Sequence, residues 1–216
     1  ADWLWFKQRS RADAHALYNT SSGIDKSMRI TTDSEFTDSY VATGVTAVGA
    51  DGFTLGTDAQ AWVNYGSDTM VAWLWKANGG TTSSNSDGTI SSTVQVNTTA
   101  GFSIVLFTGD GNANATVGHG LGVKPAWYIV KDRDTNVHGH FMVWHQGYSD
   151  VDNNLFWNLT NAVNNGGFGT GDPATTTTFE PAVTAYTNNS GSDYIAYVFA
   201  EVEGYSKFGS YTGNGS

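Results

Sequence analysis

The sequence contains WLWFKQRS at residues 3–10 and the similar string WYIVKDRD at residues 127–134. Further along, VAWLW at residues 71–75 recurs as IAYVF at residues 195–199, and a Gly-Ser-Asp precedes each of these runs. Both pairs of strings have the same offset, since 127 − 3 and 195 − 71 are both 124. Self-similarity at a fixed spacing is the signature of a repeated structural unit. We therefore predict that the chain carries two copies of one fold unit.

A third similarity indicates where a unit begins. The string GFS at 101–103 leads to FTGDG at 107–111, and GYS at 204–206 leads to YTGNG at 211–215. A unit would then open with this Gly-aromatic-Ser string and close with the Ala-aromatic strand. The domains predicted in this way are a first unit lacking its opening strand at 1–78, a linker and strand at 79–100, a second unit at 101–203, and a further opening strand at 204–216.

The composition favours an all-β fold. Only 14% of the 216 residues are charged, and Gly, Thr, Ser and Asn are abundant, as in proteins built from short strands and polar turns. Short apolar runs at 3–7, 70–75, 103–107, 126–130 and 194–199 have apolar side chains on both faces, which is typical of buried central strands. We predict two tandem antiparallel β-sandwich units of jelly-roll or lectin-like type.

The charge of the chain limits its partners. The formal net charge is −10 and the sequence pI is about 4.6, which disfavours nucleic acids and acidic membrane surfaces. No apolar run approaches the ~20 residues of a membrane-spanning helix. There is no cysteine, so neither a disulfide nor a thiolate metal site can form. The sequence starts at Ala1 without a signal peptide, so we expect a processed chain or a piece of a longer one.

Several longer strings resemble a known family. They are TTSSN at 81–85 with GTI at 88–90, VQVNTTAGFSIV at 94–105, VGHGLG at 117–122, DGFTLG at 51–56 and FAEVEGYSKFGSYTGNG at 199–215. Together they resemble a tandem domain of unassigned function from tail-fibre and other virion proteins of marine and cyanobacterial phages. The similarity covers almost the whole chain, and the last string is the longest and most specific.

This resemblance implies a function without catalysis. We expect a structural subunit of a phage virion appendage, a tail fibre or filament, located in the virion or outside the cell. Its partners would be copies of itself and other virion proteins, and it would need no cofactor and no metal. The alternative is a carbohydrate-binding, receptor-recognition module of the fibre that binds host surface glycans. A depolymerase-type enzyme is a third alternative, for which Glu180, Glu201 and Glu203 are candidate acids without any supporting motif.

The repeat boundaries suggest a mode of assembly. The first unit lacks its opening strand, while residues 204–216 supply one that has no unit behind it. An open sheet edge with a buried apolar face is prone to pair with another chain. We therefore predict head-to-tail strand addition, which gives a filament. The rival interpretation is a stretch of a longer tandem chain. The residues assigned to assembly are Trp3, Trp5, Tyr205, Phe208 and Tyr211.

Other side chains are candidates for ligand binding. Trp62, Trp144 and Trp157 fall in or near predicted loops and could stack on sugars, although packing in a core or interface is the commoner role of a tryptophan. His138 and His140 alternate and could hold a metal, or simply form local hydrogen bonds. Alternating oxygen ligands of the calcium-loop kind occur twice, but neither loop has a Glu at its twelfth position, so Asx-rich turns are the favoured interpretation. They are Asp110, Asn112 and Asn114, and Asp150, Asp152 and Asn154.

Overall fold

A computed structural model describes residues 1–30, 44–57, 63–134, 139–148, 150, 152–164, 167–168, 172–181 and 186–215. These residues form fifteen strands, in chain order β1 (Trp3–Gln8), β2 (His15–Asn19), β3 (Ser27–Ile30), β4 (Val45–Val48), β5 (Phe53–Leu55), β6 (Met70–Trp75), β7 (Ser83–Asn85), β8 (Ser92–Asn97), β9 (Phe102–Thr108), β10 (Val117–Gly118), β11 (Trp127–Asp132), β12 (Phe141–His145), β13 (Leu155–Phe156), β14 (Thr178–Phe179) and β15 (Asp193–Phe199). The described part of the chain contains no helix, so none could cross a membrane.

The strands form two large and two small antiparallel sheets. The four-stranded sheet has the order β3-β2-β1-β6, and the seven-stranded sheet has the order β13-β12-β11-β15-β9-β8-β7. Two two-stranded sheets, β4-β5 and β10-β14, complete the fold. None of these sheets closes into a barrel. The all-β antiparallel class predicted from the sequence is confirmed, and the packed sheets are consistent with β-sandwich units.

The two large sheets pack face to face. Trp3 and Leu17 of the four-stranded sheet share a core with Phe102, Ile129 and Tyr197 of the seven-stranded sheet. Successive side chains of a strand point to opposite faces, and in these strands both faces carry apolar side chains. The outer face of each large sheet therefore needs its own cover. The β4-β5 pair covers the outer face of the four-stranded sheet, and the β10-β14 pair covers that of the seven-stranded sheet. The result is four stacked layers.

The segment 79–100 is part of this architecture. Its strands β7 and β8 pair with each other, and β8 continues the seven-stranded sheet beyond β9. Residues 204–215, by contrast, form no strand, and only a single bridge joins Val202 to Ser206. The two large sheets share one core, so the packing shows no separation at residue 78 or 100. The predicted domain boundaries stay a prediction.

Candidate assembly interface

The internal repeat is visible in the register of the strands. In the four-stranded sheet, β1 pairs with β6 from Trp3↔Trp75 to Gln8↔Met70. Adding 124 to each number gives the pairs of β11 with β15, from Trp127↔Phe199 to Asp132↔Tyr194. All six pairs match without a shift. Since a slip of one residue would turn every side chain to the opposite face, this identity shows two copies of the same sheet nucleus.

The two copies differ at one edge. In the seven-stranded sheet, the far edge of β15 is occupied by β9 over seven residue pairs. In the four-stranded sheet, no described strand pairs with the far edge of β6. Trp73 and Leu74 on β6 are 41% and 42% exposed, which is high for such large apolar side chains. We call this far edge of β6, with which no described strand pairs, the open edge.

Aromatic rings line the sheet beside the open edge. The Trp5 ring lies 4.8 Å from that of Trp73 and 4.9 Å from that of Trp157, while Trp127 lies 6.3 Å from Trp157. The indole N–H of Trp5 donates to Nδ1 of His15 at 2.6 Å. Burial, with a smaller contribution from the charge of Lys7, lowers the pKa of His15 and so favours the neutral ring that accepts this bond.

A buried carboxylate fixes the end of β6 to the start of β1. Asp2 accepts hydrogen bonds from the backbone N–H of Ala77 at 2.7 Å, Gly79 at 3.1 Å and Gly80 at 3.0 Å. The amide oxygen of Gln95 on β8 also accepts from Gly80, at 3.1 Å. Charge-assisted bonds to backbone N–H groups are stronger than neutral ones. They hold the chain just beyond β6 in place between the two sheets.

The C-terminal segment, residues 204–215, lies against the seven-stranded sheet. The Phe208 ring is 5.9 Å from Trp127, and the Phe208 N–H donates to the Glu201 carboxylate at 3.1 Å. That bond, together with one from Gln146, lowers the pKa of Glu201. Tyr211 is 95% exposed. The segment is thus attached at Phe208 and open to solvent beyond it.

The predicted assembly residues have different surroundings. Trp3 is fully buried between the sheets, so its assignment to contacts with another copy is wrong: it packs on Tyr197 at 4.5 Å. Trp5 and Phe208 are half-buried, and Tyr205 and Tyr211 are exposed. Trp73 and Leu74 were not predicted as assembly residues, because the apolar run at 70–75 is typical of a buried central strand.

The predicted sugar-binding tryptophans do not form one site. Trp62 lies outside the described residues. Trp144 is wrong as a glycan contact, because it is a β12 core residue, 2% exposed, with its ring 5.2 Å from Tyr128. Trp157 is half-buried beside the open edge, where it meets Trp5 and Trp127.

The histidines make local hydrogen bonds. His140 Nδ1 lies 3.0 Å from the side-chain amide nitrogen of Asn158, and His145 Nδ1 accepts from the Gly147 N–H at 2.9 Å. His138 lies outside the described residues. Burial lowers the pKa of His145, partly offset by Glu201. Nowhere in the described ranges do three His, Asp or Glu side chains cluster as metal ligands would.

The two Asp/Asn loops differ from each other. Asp110 accepts from the Asn112 N–H at 2.8 Å and Asn112 accepts from the Asn114 N–H at 3.0 Å, so the Asx-turn interpretation is confirmed there. In the second loop, one side-chain oxygen each of Asp152 and Asn154 is shielded from solvent without a hydrogen-bond partner. Desolvation and the adjacent Asp150 raise the pKa of Asp152.

The fold and this interface define an all-β protein of two packed antiparallel sheets, in which the apolar far edge of β6 has no partner strand among the described residues. Comparison with family models then gives its family. The chain belongs to DUF7483, a domain of unknown function, whose model matches residues 1–216. Neither the curated proteins nor the solved structures contain a match to this chain.

Proposed function

We propose that this chain is a non-enzymatic structural subunit of a phage virion appendage, a tail fibre or filament, that assembles through the edges of its β-sheets. Its partners are other copies of itself and neighbouring virion proteins, in the virion or outside the cell. Two independent considerations support the proposal. They are the resemblance of residues 81–105, 117–122 and 199–215 to tandem domains of virion proteins, and the open edge.

The open edge carries the proposal. An unpaired strand presents free backbone N–H and C=O groups, and soluble proteins usually protect such strands with charges, proline or a covering loop. Here β6 has the sequence MVAWLW, with no charge and no proline, and its Trp73 and Leu74 side chains are exposed. This combination suits a strand that another strand covers in the assembled state.

The proposal is tested on both of its parts. Purified chain, followed by light scattering and electron microscopy over a concentration series, is expected to pass from 23.1 kDa monomers to linear assemblies. In particles of a phage that encodes the chain, mass spectrometry and antibody labelling are expected to find it in an appendage. A chain that stays monomeric at the highest soluble concentration, or that is absent from purified particles, contradicts the proposal.

The alternative is a carbohydrate-binding module. It is favoured by the aromatic rings at the open edge, where Trp157 lies between Trp5 and Trp127 and keeps part of its surface exposed. Aromatic faces of this kind stack on apolar surfaces of ligands. On a glycan array, this alternative predicts binding that Trp157→Ala abolishes while thermal unfolding stays cooperative. An array without signal for the native chain removes this alternative.

A further inference from the structure

We infer that residues 205–211 of one copy add to the open edge of β6 in a second copy, as the fifth strand of its four-stranded sheet. The inference rests on the proposed function, assembly through sheet edges, and goes further by naming the donor, the acceptor and the register. The chain already contains the completed arrangement once, and only the donor, which forms no strand in its own copy, has to become extended.

The completed arrangement is the β11-β15-β9 part of the seven-stranded sheet. There β9 pairs antiparallel with β15, from Phe199↔Phe102 to Asp193↔Thr108. Because β1 and β6 reproduce β11 and β15 pair for pair, the four-stranded sheet is the same nucleus without its β9. The edge of β6 therefore has the shape and twist that a β9-like strand fits.

Residues 204–215 have the sequence pattern of a β9-like strand. They repeat the Gly-aromatic-Ser opening of β9, since Gly204-Tyr205-Ser206 corresponds to Gly101-Phe102-Ser103. The backbone repeats too: Gly101 and Gly204 have φ of 63° and 74°, and the glycines that follow the strand, Gly111 and Gly215, have φ of 73° and 74°. L-residues with a side chain rarely adopt this left-handed conformation. The second segment is one residue longer, which a β-bulge accommodates.

The register of the added strand is obtained by applying the residue pairs of β15 and β9 to β6 and the donor segment. Tyr205 is placed opposite Trp75, Ser206 opposite Leu74 and Lys207 opposite Trp73. Beyond the bulge, Tyr211 is placed opposite Met70. Directly opposite aromatic pairs stabilise antiparallel sheets. Lys207 adds an ammonium beside the exposed face of Trp73, an arrangement that gives a cation–π attraction.

The donor is available to a second copy. Within its own chain the segment is held over residues 205–208. The Tyr205 and Ser206 N–H groups donate to the Val202 carbonyl at 3.0 and 2.9 Å, the Phe208 N–H donates to Glu201, and the Phe208 carbonyl accepts from Gln146 at 3.3 Å. The backbone groups of residues 209–213 make no hydrogen bond within the described chain, and the Tyr211 side chain projects into solvent, 95% exposed. Pairing with the open edge therefore starts at residues 209–211 and exchanges the bonds of residues 205–208 for strand pairing.

Disulfide cross-linking tests the register, since the native chain has no cysteine. Four single-cysteine variants are made, Trp73→Cys, Leu74→Cys, Ser206→Cys and Lys207→Cys, and are mixed in acceptor–donor pairs under mild oxidation. Opposite residues in an antiparallel pair lie ~4.5–5.5 Å apart at Cα, within disulfide range. The pairs 74 with 206 and 73 with 207 are expected to form about tenfold more disulfide dimer than 74 with 207 and 73 with 206, which point to opposite faces.

The outcomes separate this inference from the proposed function. Assemblies that form while all four mixtures cross-link equally or not at all overturn the inference and leave assembly through sheet edges standing. A Leu74→Cys/Ser206→Cys double variant that closes only within its own chain also overturns the inference, because the donor then comes from the same copy. The absence of any assembly overturns the proposed function itself. The changes at Leu74 and Ser206 are conservative, so these variants are expected to fold. Near-ultraviolet circular dichroism checks that they do.

Discussion

At the scale of single residues, the buried polar side chains act as anchors. His119 lies between two glycines, and its Nδ1 accepts from the Leu121 N–H at 3.1 Å while Nε2 lies 3.4 Å from the Thr175 carbonyl oxygen. The neutral ring therefore carries its proton on Nε2. Burial lowers the pKa of His119 to about 4, although the bond to Thr175 and the charge of Asp87 oppose the shift. This imidazole therefore anchors the loop that follows β10.

This pKa predicts a pH dependence of stability. Unfolded His119 titrates near 6.5 and the folded ring near 4, so the unfolded state binds more protons between these values. The free energy of unfolding is therefore expected to fall by about 2 kcal/mol from His119 alone between pH 7 and pH 5. Urea unfolding of monomeric protein, followed by tryptophan fluorescence, measures the difference.

Two variants isolate the contribution of His119. His119→Gln is expected to be less stable at pH 7 but to lose about 2 kcal/mol less than the native chain on acidification. His145→Gln is the matched control, because its ring is much more exposed and should change the pH dependence far less. An unchanged pH dependence in His119→Gln contradicts the assignment.

Tryptophans show why some residue roles escape the sequence. Trp3 and Trp127 occupy equivalent positions in the repeat, yet Trp3 is fully buried and Trp127 only half-buried. The difference arises because the face of Trp3 meets the opposite sheet at Phe102 and Tyr197. Alternation along a strand gives the face of a side chain, but the layer that covers it depends on how the sheets pack.

At the scale of elements, the proposed assembly depends on the open edge of β6. Charged residues on an edge strand discourage pairing with another chain. Leu74→Lys places such a charge on β6, at a side chain that is already 42% exposed. We expect this variant to raise the concentration needed for assembly by at least about tenfold, with little change in monomer stability.

The control for this variant is Val123→Lys, at a side chain that is 49% exposed and lies outside the strands. It adds the same charge and removes a comparable apolar group. Light scattering over a concentration series is expected to separate the two variants, with Val123→Lys resembling the native chain. Equal effects would mean that net charge, rather than the edge of β6, governs assembly.

Elements and their pairing were largely predictable. The offset of 124 between residues 3–10 and 127–134 anticipated the register shared by β1-β6 and β11-β15, since equal sequences with equal spacing pair alike. The strand predicted within residues 79–100 is present as β8. The sequence did not reveal that β7 and β8 extend the seven-stranded sheet, because Gly79 to Gly88 is rich in glycine and serine and is typical of a linker.

At the scale of the whole molecule, four layers place both apolar faces of each large sheet in cores, while within the described residues no strand pairs with the far edge of β6. The face-to-face packing through Trp3 joins the two large sheets through one core. The proposed assembly would extend along the direction of hydrogen bonding, by addition of strands. A donor segment and an acceptor edge at different places on one chain would form a heterologous contact, which gives open chains of subunits.

Hydrogen–deuterium exchange across a concentration series tests the central claim, that the open edge of β6 is covered when copies associate. The peptides that contain residues 70–75 and 205–211 are expected to become protected together as assembly proceeds, because both gain backbone hydrogen bonds. Exchange in β4, on the outer layer, is expected to stay unchanged. Assemblies in which both segments exchange as fast as in the monomer would contradict the account.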